Sequence, residues 1–167
     1  MELSMNVGHL MKRRDGTSRD ILECAKIVKD TGFDFIDFSG NYYLENDGWL
    51  EKTKKIKEGF DALSLKVNQT HAPYVFEKYG EEEYREYMRR AFEINAAVGS
   101  EYIVIHADKY LPGDDGYDSK RALCEIYDFY APYVEYAKKS GFFVAIENLF
   151  EPVRDSVRTR FTSTIEE

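Results

Sequence analysis

Apolar and polar positions follow two rhythms along this chain, and the rhythm switches at regular intervals. Residues 3–8 (LSMNVG) read as a short strand that ends at His9. A basic, Gly-containing loop follows. Thr17 and Ser18 then start a helix with Ile21, Ala25 and Val28 on its apolar face and Gly32 at its end. Residues 33–39 (FDFIDFS) form the second strand. Residues 47–63 form a helix, since Trp49, Thr53, Ile56, Phe60 and Leu63 line one side. Residues 65–70 (LKVNQT) make a third strand, closed by His71-Ala72-Pro73. The clearest helix spans 81–99, with acids in its first turn, Tyr84, Met88 and Ala91 on one stripe, and Gly99 at its end. Residues 102–106 (YIVIH) are the fourth strand. The loop KYLPGDDGYD is long enough to be functional. A fourth helix covers 119–140, with a kink expected at Pro132, and residues 142–148 (FFVAIEN) are the fifth strand. The tail from Glu151 reads as a loop and the opening of a helix capped by Ser163 or Thr164.

The strands start near residues 3, 33, 65, 102 and 142, a spacing of roughly 30 to 40 residues that suits a βα unit. Strict alternation of strand and helix predicts an α/β fold with a parallel sheet. Two architectures fit it, an open doubly wound sheet and part of a (β/α)8 TIM barrel. The polar residues decide between them. His9 follows the first strand, Asp37 and Ser39 end the second, and His71, His106 and Glu147 end the third, fourth and fifth. All three histidines of the chain therefore fall at strand C-termini. A flat five-stranded sheet would spread these side chains across roughly 19 Å, whereas a barrel aims them at a common centre. No Gly-rich phosphate motif follows the first strand, as an open nucleotide-binding sheet would favour. The barrel is the expected fold. A full barrel needs about 250 residues, and this chain has 167. Residues 1–167 are therefore expected to be the N-terminal part of one barrel domain, with four βα units and a fifth parallel strand, short of strands six to eight. An unpaired parallel edge predicts a homo-oligomer.

Composition narrows the function. The chain is 43% hydrophobic with 13 Tyr and 11 Phe, which argues against disorder. No apolar run approaches the roughly 20 residues of a membrane span, and the N-terminus lacks the charge-then-apolar order of a signal peptide. A cytoplasmic protein with no membrane partner is expected. The net charge of -8 argues against a nucleic-acid partner while leaving room for a local basic cluster that holds a small phosphorylated substrate. Cys24 and Cys124 read as lone, buried, small hydrophobes.

Three strand-end segments carry a resemblance: THAPY (Thr70–Tyr74), VIHAD (Val104–Asp108) and AIENL (Ala145–Leu149). Together they resemble the xylose isomerase-like TIM barrels, a superfamily of sugar phosphate isomerases and epimerases that also holds endonuclease IV. The resemblance implies a metal-dependent sugar or sugar-phosphate isomerase or epimerase, moving a proton next to a ketose carbonyl. It assigns Glu147 as metal ligand and proton-transfer group. It assigns His71 and His106 as metal ligands in the endonuclease-like members and as pocket residues in the sugar enzymes. It implies Mn²⁺ or Mg²⁺, or Zn²⁺ for an endonuclease-like member. The family's further ligands, an aspartate, a histidine and a second glutamate, belong to strands six to eight and are not in this sequence.

Plainer readings stand beside these. Glu147 would pair with Arg154 or Lys66, and His71 would bond backbone in its turn. His9, a candidate substrate contact, would simply be exposed. Asp37 would cap the second helix or bond backbone, and Asn148 would cap its strand. Trp49 would pack, and Lys52, Lys54, Lys55 and Lys57 would form a solvated helix face. Arg158 and Arg160 would grip a phosphate or make a helix-entry ion pair. Two rival functions remain: an endonuclease IV-like phosphodiesterase acting on abasic DNA, and a non-catalytic half-barrel that associates with itself. The isolated fragment is expected to be inactive.

Overall fold

Five short strands lie side by side, all parallel, in the order in which the chain makes them. They are β1 (Ser4–Asn6), β2 (Phe35–Phe38), β3 (Lys66–His71), β4 (Tyr102–Ile105) and β5 (Phe143–Ile146). The helices α1 (Ile21–Asp30), α2 (Trp49–Ala62), α3 (Glu81–Val98) and α4 (Ser119–Ser140) connect them. The computed structural model describes residues 3–74, 80–106 and 118–147, with the backbone of Phe150–Val153 and Ser156–Thr159. A doubly wound sheet reverses its strand order at a switch point. The order here never reverses, so the fold is part of a (β/α)8 barrel.

Side-chain alternation puts the core on one face of the sheet. Ile36 and Phe38 of β2 are buried while Phe35 and Asp37, which alternate with them, are only half-buried. Ile103 and Ile105 of β4 are buried on the same side. The helices cover that face with Cys24, Ala25, Val28, Phe60, Met88, Ala91 and Phe92. Phe38 meets Phe60 edge-on at 5.6 Å. α3 owes its length to Glu81, Glu82 and Glu83 at its positive end and to Gly99, at φ +67°, closing its last turn. Gly40 permits a close approach at the sheet's C-terminal rim. A Cβ there would stand 2.8 Å from Ile94, so only glycine lets the turn Gly40–Tyr42 lie against α3.

A buried polar chain ties α3 to the two strands that matter most for function. Thr70 Oγ1 donates to Asn95 Oδ1 at 2.6 Å, and Asn95 Nδ2 donates to the Ser100 carbonyl at 3.2 Å. The Ser100 hydroxyl lies 3.1 Å from the Asn68 carbonyl and 2.9 Å from that of Tyr102. Thr70, Asn95 and Ser100 are all buried. Each polar group has a partner, as burial demands.

Several elements differ from the sequence expectation. β1 stops at Asn6, whose side chain accepts from the Gly8 N–H and turns Val7–Leu10 into a 3-10 helix. α1 begins at Ile21, not at Thr17–Ser18. Asp15 takes both the N–H and the hydroxyl of Thr17, at 3.0 and 2.7 Å, and Asp20 supplies the cap, accepting from Leu22 N at 2.8 Å. The first residues of the tail, expected to be loop, are not. Instead β6 (Phe150–Val153) and β7 (Ser156–Thr159) form an antiparallel hairpin. The β-branched Val157 and Thr159 suit strand, and Pro152 is tolerated in a two-stranded edge. Ser163, Thr164, Arg160, Arg154 and Asn148 lie outside the described residues, as does most of the loop KYLPGDDGYD. α4 is one helix with Pro132 inside it, at the expected bounds. Cys24 is buried, but Cys124 is exposed, because its position on α4 falls off the packed stripe of Ala122, Ile126 and Phe129. No helix among the described residues is long and apolar enough to cross a membrane.

Candidate metal and substrate site

His71 is the last residue of β3, and His106 and Glu147 follow directly on the last residues of β4 and β5. The strand register sets them level. His71 pairs with Val104, and Ala145 pairs with Val104 from the other side. The ladder continues past the strand ends, since Ala72 N donates to Val104 O at 2.9 Å and Glu147 N to Ile105 O at 3.0 Å. Three successive strands thus bring two imidazoles and a carboxylate to one rim.

One potential ligand atom from each of His71, His106 and Glu147 lies within 4.8 Å of the others. The His106 Nε2 is 2.9 Å from Glu147 Oε2. That contact is short but not aligned as a hydrogen bond, so this buried nitrogen has no aligned partner among the described residues. The His71 and His106 rings meet edge-on at 6.0 Å. Tyr74 stacks on His106 at 5.1 Å with planes 28° apart. Tyr130 of α4 donates to the His106 carbonyl at 2.6 Å. His106 is well enclosed, its side chain 11% accessible against 43% for Glu147.

Burial lowers the His71 pKa below its ordinary value. The Glu147 charge opposes that shift, His106 adds to it, and Asp37 opposes it more weakly. His71 is therefore a neutral imidazole at neutral pH, the form that binds a metal ion. A buried Nε2 with no aligned hydrogen bond among the described residues, beside a neutral imidazole and a carboxylate, is a donor set that fits a divalent cation.

The other candidates fall elsewhere. His9 is exposed on the turn Val7–Leu10 and is not part of the trio. Asp37 does not cap α2, whose N-cap is Gly48, and among the described residues its side chain bonds other side chains. It accepts from Ser4 Oγ at 2.6 Å and Asn68 Nδ2 at 3.2 Å, because β1 and β3 flank its strand. Lys66 opens β3, at the far end from His71, and lies over the Phe35 ring at 5.8 Å. Trp49 packs against the core with Arg90 over its ring at 5.7 Å. The lysines of α2 form a solvated face on which Lys54 and Lys57 pair with Glu51 and Asp61. Sequence reasoning missed Tyr74, Tyr130 and the Asn95 network. Only Tyr74 left a trace, as the last residue of THAPY.

The profile of the family described as "Xylose isomerase-like TIM barrel" matches residues 25–166. A comparison with curated proteins gives no match. Among solved structures, the family 2 AP endonuclease of Brucella melitensis is similar at 16% identity, over 89% of this chain and 55% of that one, with a TM-score of 0.62. The 3-keto-D-glucoside 4-epimerase of E. coli is similar at 18% identity, over 89% and 57%, with a TM-score of 0.64. A D-psicose 3-epimerase crystallised with D-fructose is similar at 13% identity, over 89% and 53%, with a TM-score of 0.65. At such identities the likeness is one of fold. The chain spans about half the length of these structures.

Proposed function

The chain belongs to the xylose isomerase-like TIM barrel family, and from that premise we propose that it carries half of a metal-dependent isomerase or epimerase site. The substrate is a sugar or sugar phosphate, and the reaction is proton transfer next to its ketose carbonyl. The carrying observation is the convergence of His71, His106 and Glu147, with the His106 Nε2 buried, 2.9 Å from Glu147 Oε2 and without an aligned hydrogen bond among the described residues. These three residues would hold Mn²⁺ or Mg²⁺. When bound, the ion supplies Lewis-acid polarisation of the carbonyl and the hydroxyl beside it. His71 and His106 would each offer an imidazole nitrogen to the ion, and the Tyr130 hydrogen bond fixes the backbone from which His106 projects. Glu147, with 43% of its side chain accessible, reaches into the mouth of the site and takes the proton from the carbon next to the carbonyl.

Inversion at that carbon needs a second carboxylate on the opposite face. Glu147 serves one face only, so the isolated chain is expected to turn over no substrate, and the one half-reaction open to it is exchange of the proton at the Glu147 face. NMR of D-fructose in deuterated buffer with Mn²⁺ tests this. Deuterium should enter beside the carbonyl with the wild-type chain and not with Glu147→Gln. Equal incorporation by both removes Glu147 from the chemistry.

The abasic-DNA phosphodiesterase reading shares the two-histidine ligand set, but a net charge of -8 opposes binding to a phosphate backbone. Self-association is favoured by a separate observation. An apolar groove of about 690 Å³ runs along the outer side of β5 and α4, lined by Leu123, Tyr127, Val134, Val144 and Ile146. Among the described residues β5 and β1 are the two sheet edges. A second copy of this chain offers a complementary parallel β1 edge to β5, and it is the occupant we assign to the groove. Light scattering should give a dimer for the wild type and a monomer for Ile146→Lys. A wild-type monomer at all concentrations contradicts this.

A further inference from the structure

We propose that Asp37 is a second anchor of the site. Its carboxylate accepts hydroxyls at the end of the sugar that the His–Glu trio does not hold and repels a phosphate there, so the substrate is an unphosphorylated sugar. This inference rests on the sugar-site reading above. It deepens that reading by choosing between a sugar and a sugar phosphate.

Asp37 and the trio share one face of the sheet. Ile36 and Phe38 are buried under the helices, so Asp37 between them points to the opposite, inner side. Thr70 bonds Asn95 of α3, so His71, the next residue of β3, points inward as well. The charge of Asp37 is felt at His71, where it opposes the effect of burial. β2 stands two strands from β4, roughly 10 Å across the sheet. An open-chain hexose bridges such a span from an ion at one end to a carboxylate at the other.

The side chains around Asp37 are not those of a packed barrel core, where bulky branched residues dominate. On the inner side of β1, β2 and β3 stand Ser4, Asp37 and Asn68, all half-buried. The β2–β3 register slips at this point: Ile36 pairs with Val67, but Asp37 pairs with Gln69. Asn68 is the extra residue of the bulge, and the slip brings its amide onto Asp37. Bulges re-aim side chains in this way next to functional sites. Ser4 Oγ donates to Asp37 Oδ1 at 2.6 Å, and Asn68 Nδ2 donates to the same oxygen at 3.2 Å. Both bonds fall on Oδ1, and Oδ2 accepts none among the described residues.

An inward carboxylate with an uncommitted oxygen needs donors. Among the described residues no cation supplies them. Lys66 lies over the Phe35 ring at 5.8 Å, and Arg13 and Arg19 of the basic loop both reach Glu23, at 2.7 and 3.6 Å. Lys12 and Arg14 of that loop are exposed. A carboxylate only accepts, and the hydroxyls of a sugar donate, so the two match. A phosphate brings further acceptors and a like charge.

Ligand-observed NMR titrations at matched free Mg²⁺, with D-fructose and D-fructose 6-phosphate as probes, test the inference. The wild-type chain should bind D-fructose on the order of tenfold more tightly than the 6-phosphate. Asp37→Asn keeps the shape and an acceptor for Ser4 and Asn68 but removes the charge. It should weaken D-fructose binding on the order of tenfold and leave the 6-phosphate no weaker, so the preference disappears. Ser4→Ala keeps the charge and should keep the preference. Equal binding of the two probes by the wild type overturns the inference, as does unchanged D-fructose affinity in Asp37→Asn. A preference lost equally in Ser4→Ala also overturns it, because packing alone is then at work. Tighter binding of the 6-phosphate overturns it and assigns that end of the substrate to the basic loop. Absence of binding by either probe overturns it as well, and Mg²⁺ calorimetry on that sample separates the two readings. If the ion binds, the metal-site reading survives alone, and if it does not, both fall.

Discussion

The strands β3 and β4 and the strand β5 contribute to one site from opposite conditions. β3 and β4 are covered. Ile103 and Ile105 are buried beneath the helices, and the Thr70–Asn95–Ser100 chain locks both strands to α3. β5 is a sheet edge, with Phe143 61% and Ile146 54% exposed. The histidines therefore stand on a rigid base. Glu147 stands on a strand covered on one side only, and its carboxylate is correspondingly open. A site can be half preorganised: the imidazole pair is fixed by the fold, and the acid's position depends on whatever covers the β5 edge.

This contrast makes quantitative expectations. Ile103→Ala in the covered part should cost about 2–5 kcal/mol of unfolding free energy in urea. A cost under half a kilocalorie would mean that β4 is not anchored as described. Asn95→Ala strands the Thr70 hydroxyl and the Ser100 carbonyl, and about 1–3 kcal/mol should be lost. A neutral result would show that the polar chain does not secure β3 to α3.

The His71 shift adds a pH signature. Its folded pKa lies below the ordinary value of 6.5. The unfolded chain then binds a proton that the folded one refuses, and stability falls as pH drops through 6.5 toward the folded pKa. His71→Gln should flatten that limb in metal-free protein. An unchanged limb would assign the dependence to other groups. The smallest effect belongs to the edge. Ile146→Ala should change monomer stability by no more than about 0.5 kcal/mol. A larger loss that grows with protein concentration would show a second copy on β5.

Much of this arrangement was legible before any coordinates. Strands and helices announce themselves by periods of about 2 and 3.6 residues, and those of β2, α3 and α4 are unambiguous. Glu147, His71 and His106 were readable because each interrupts the apolar pattern at the end of a strand. His9 shares that signature, yet the 3-10 turn after Asn6 leaves it exposed. Position at a strand end does not fix the direction of the next turn. The Thr70–Asn95 bond joins residues 25 apart, and no period in the sequence records such a pairing. Thr17 and Ser18 look like a helix cap because cap chemistry and turn chemistry use the same residues. Asp15 decided for the turn. The hairpin after β5 was missed because its strands are four residues each, too short for alternation to outweigh a Ser/Thr-rich tail that suggests a cap.

The most direct test asks whether the two imidazoles and the acid share one ion. Pulsed electron paramagnetic resonance of the chain loaded with one Mn²⁺ reads the nitrogen nuclei coupled to the metal. Couplings from two imidazoles are predicted, with one lost in His71→Ala, one lost in His106→Ala, and the bound fraction reduced in Glu147→Ala. A bound Mn²⁺ with no imidazole coupling would contradict the account.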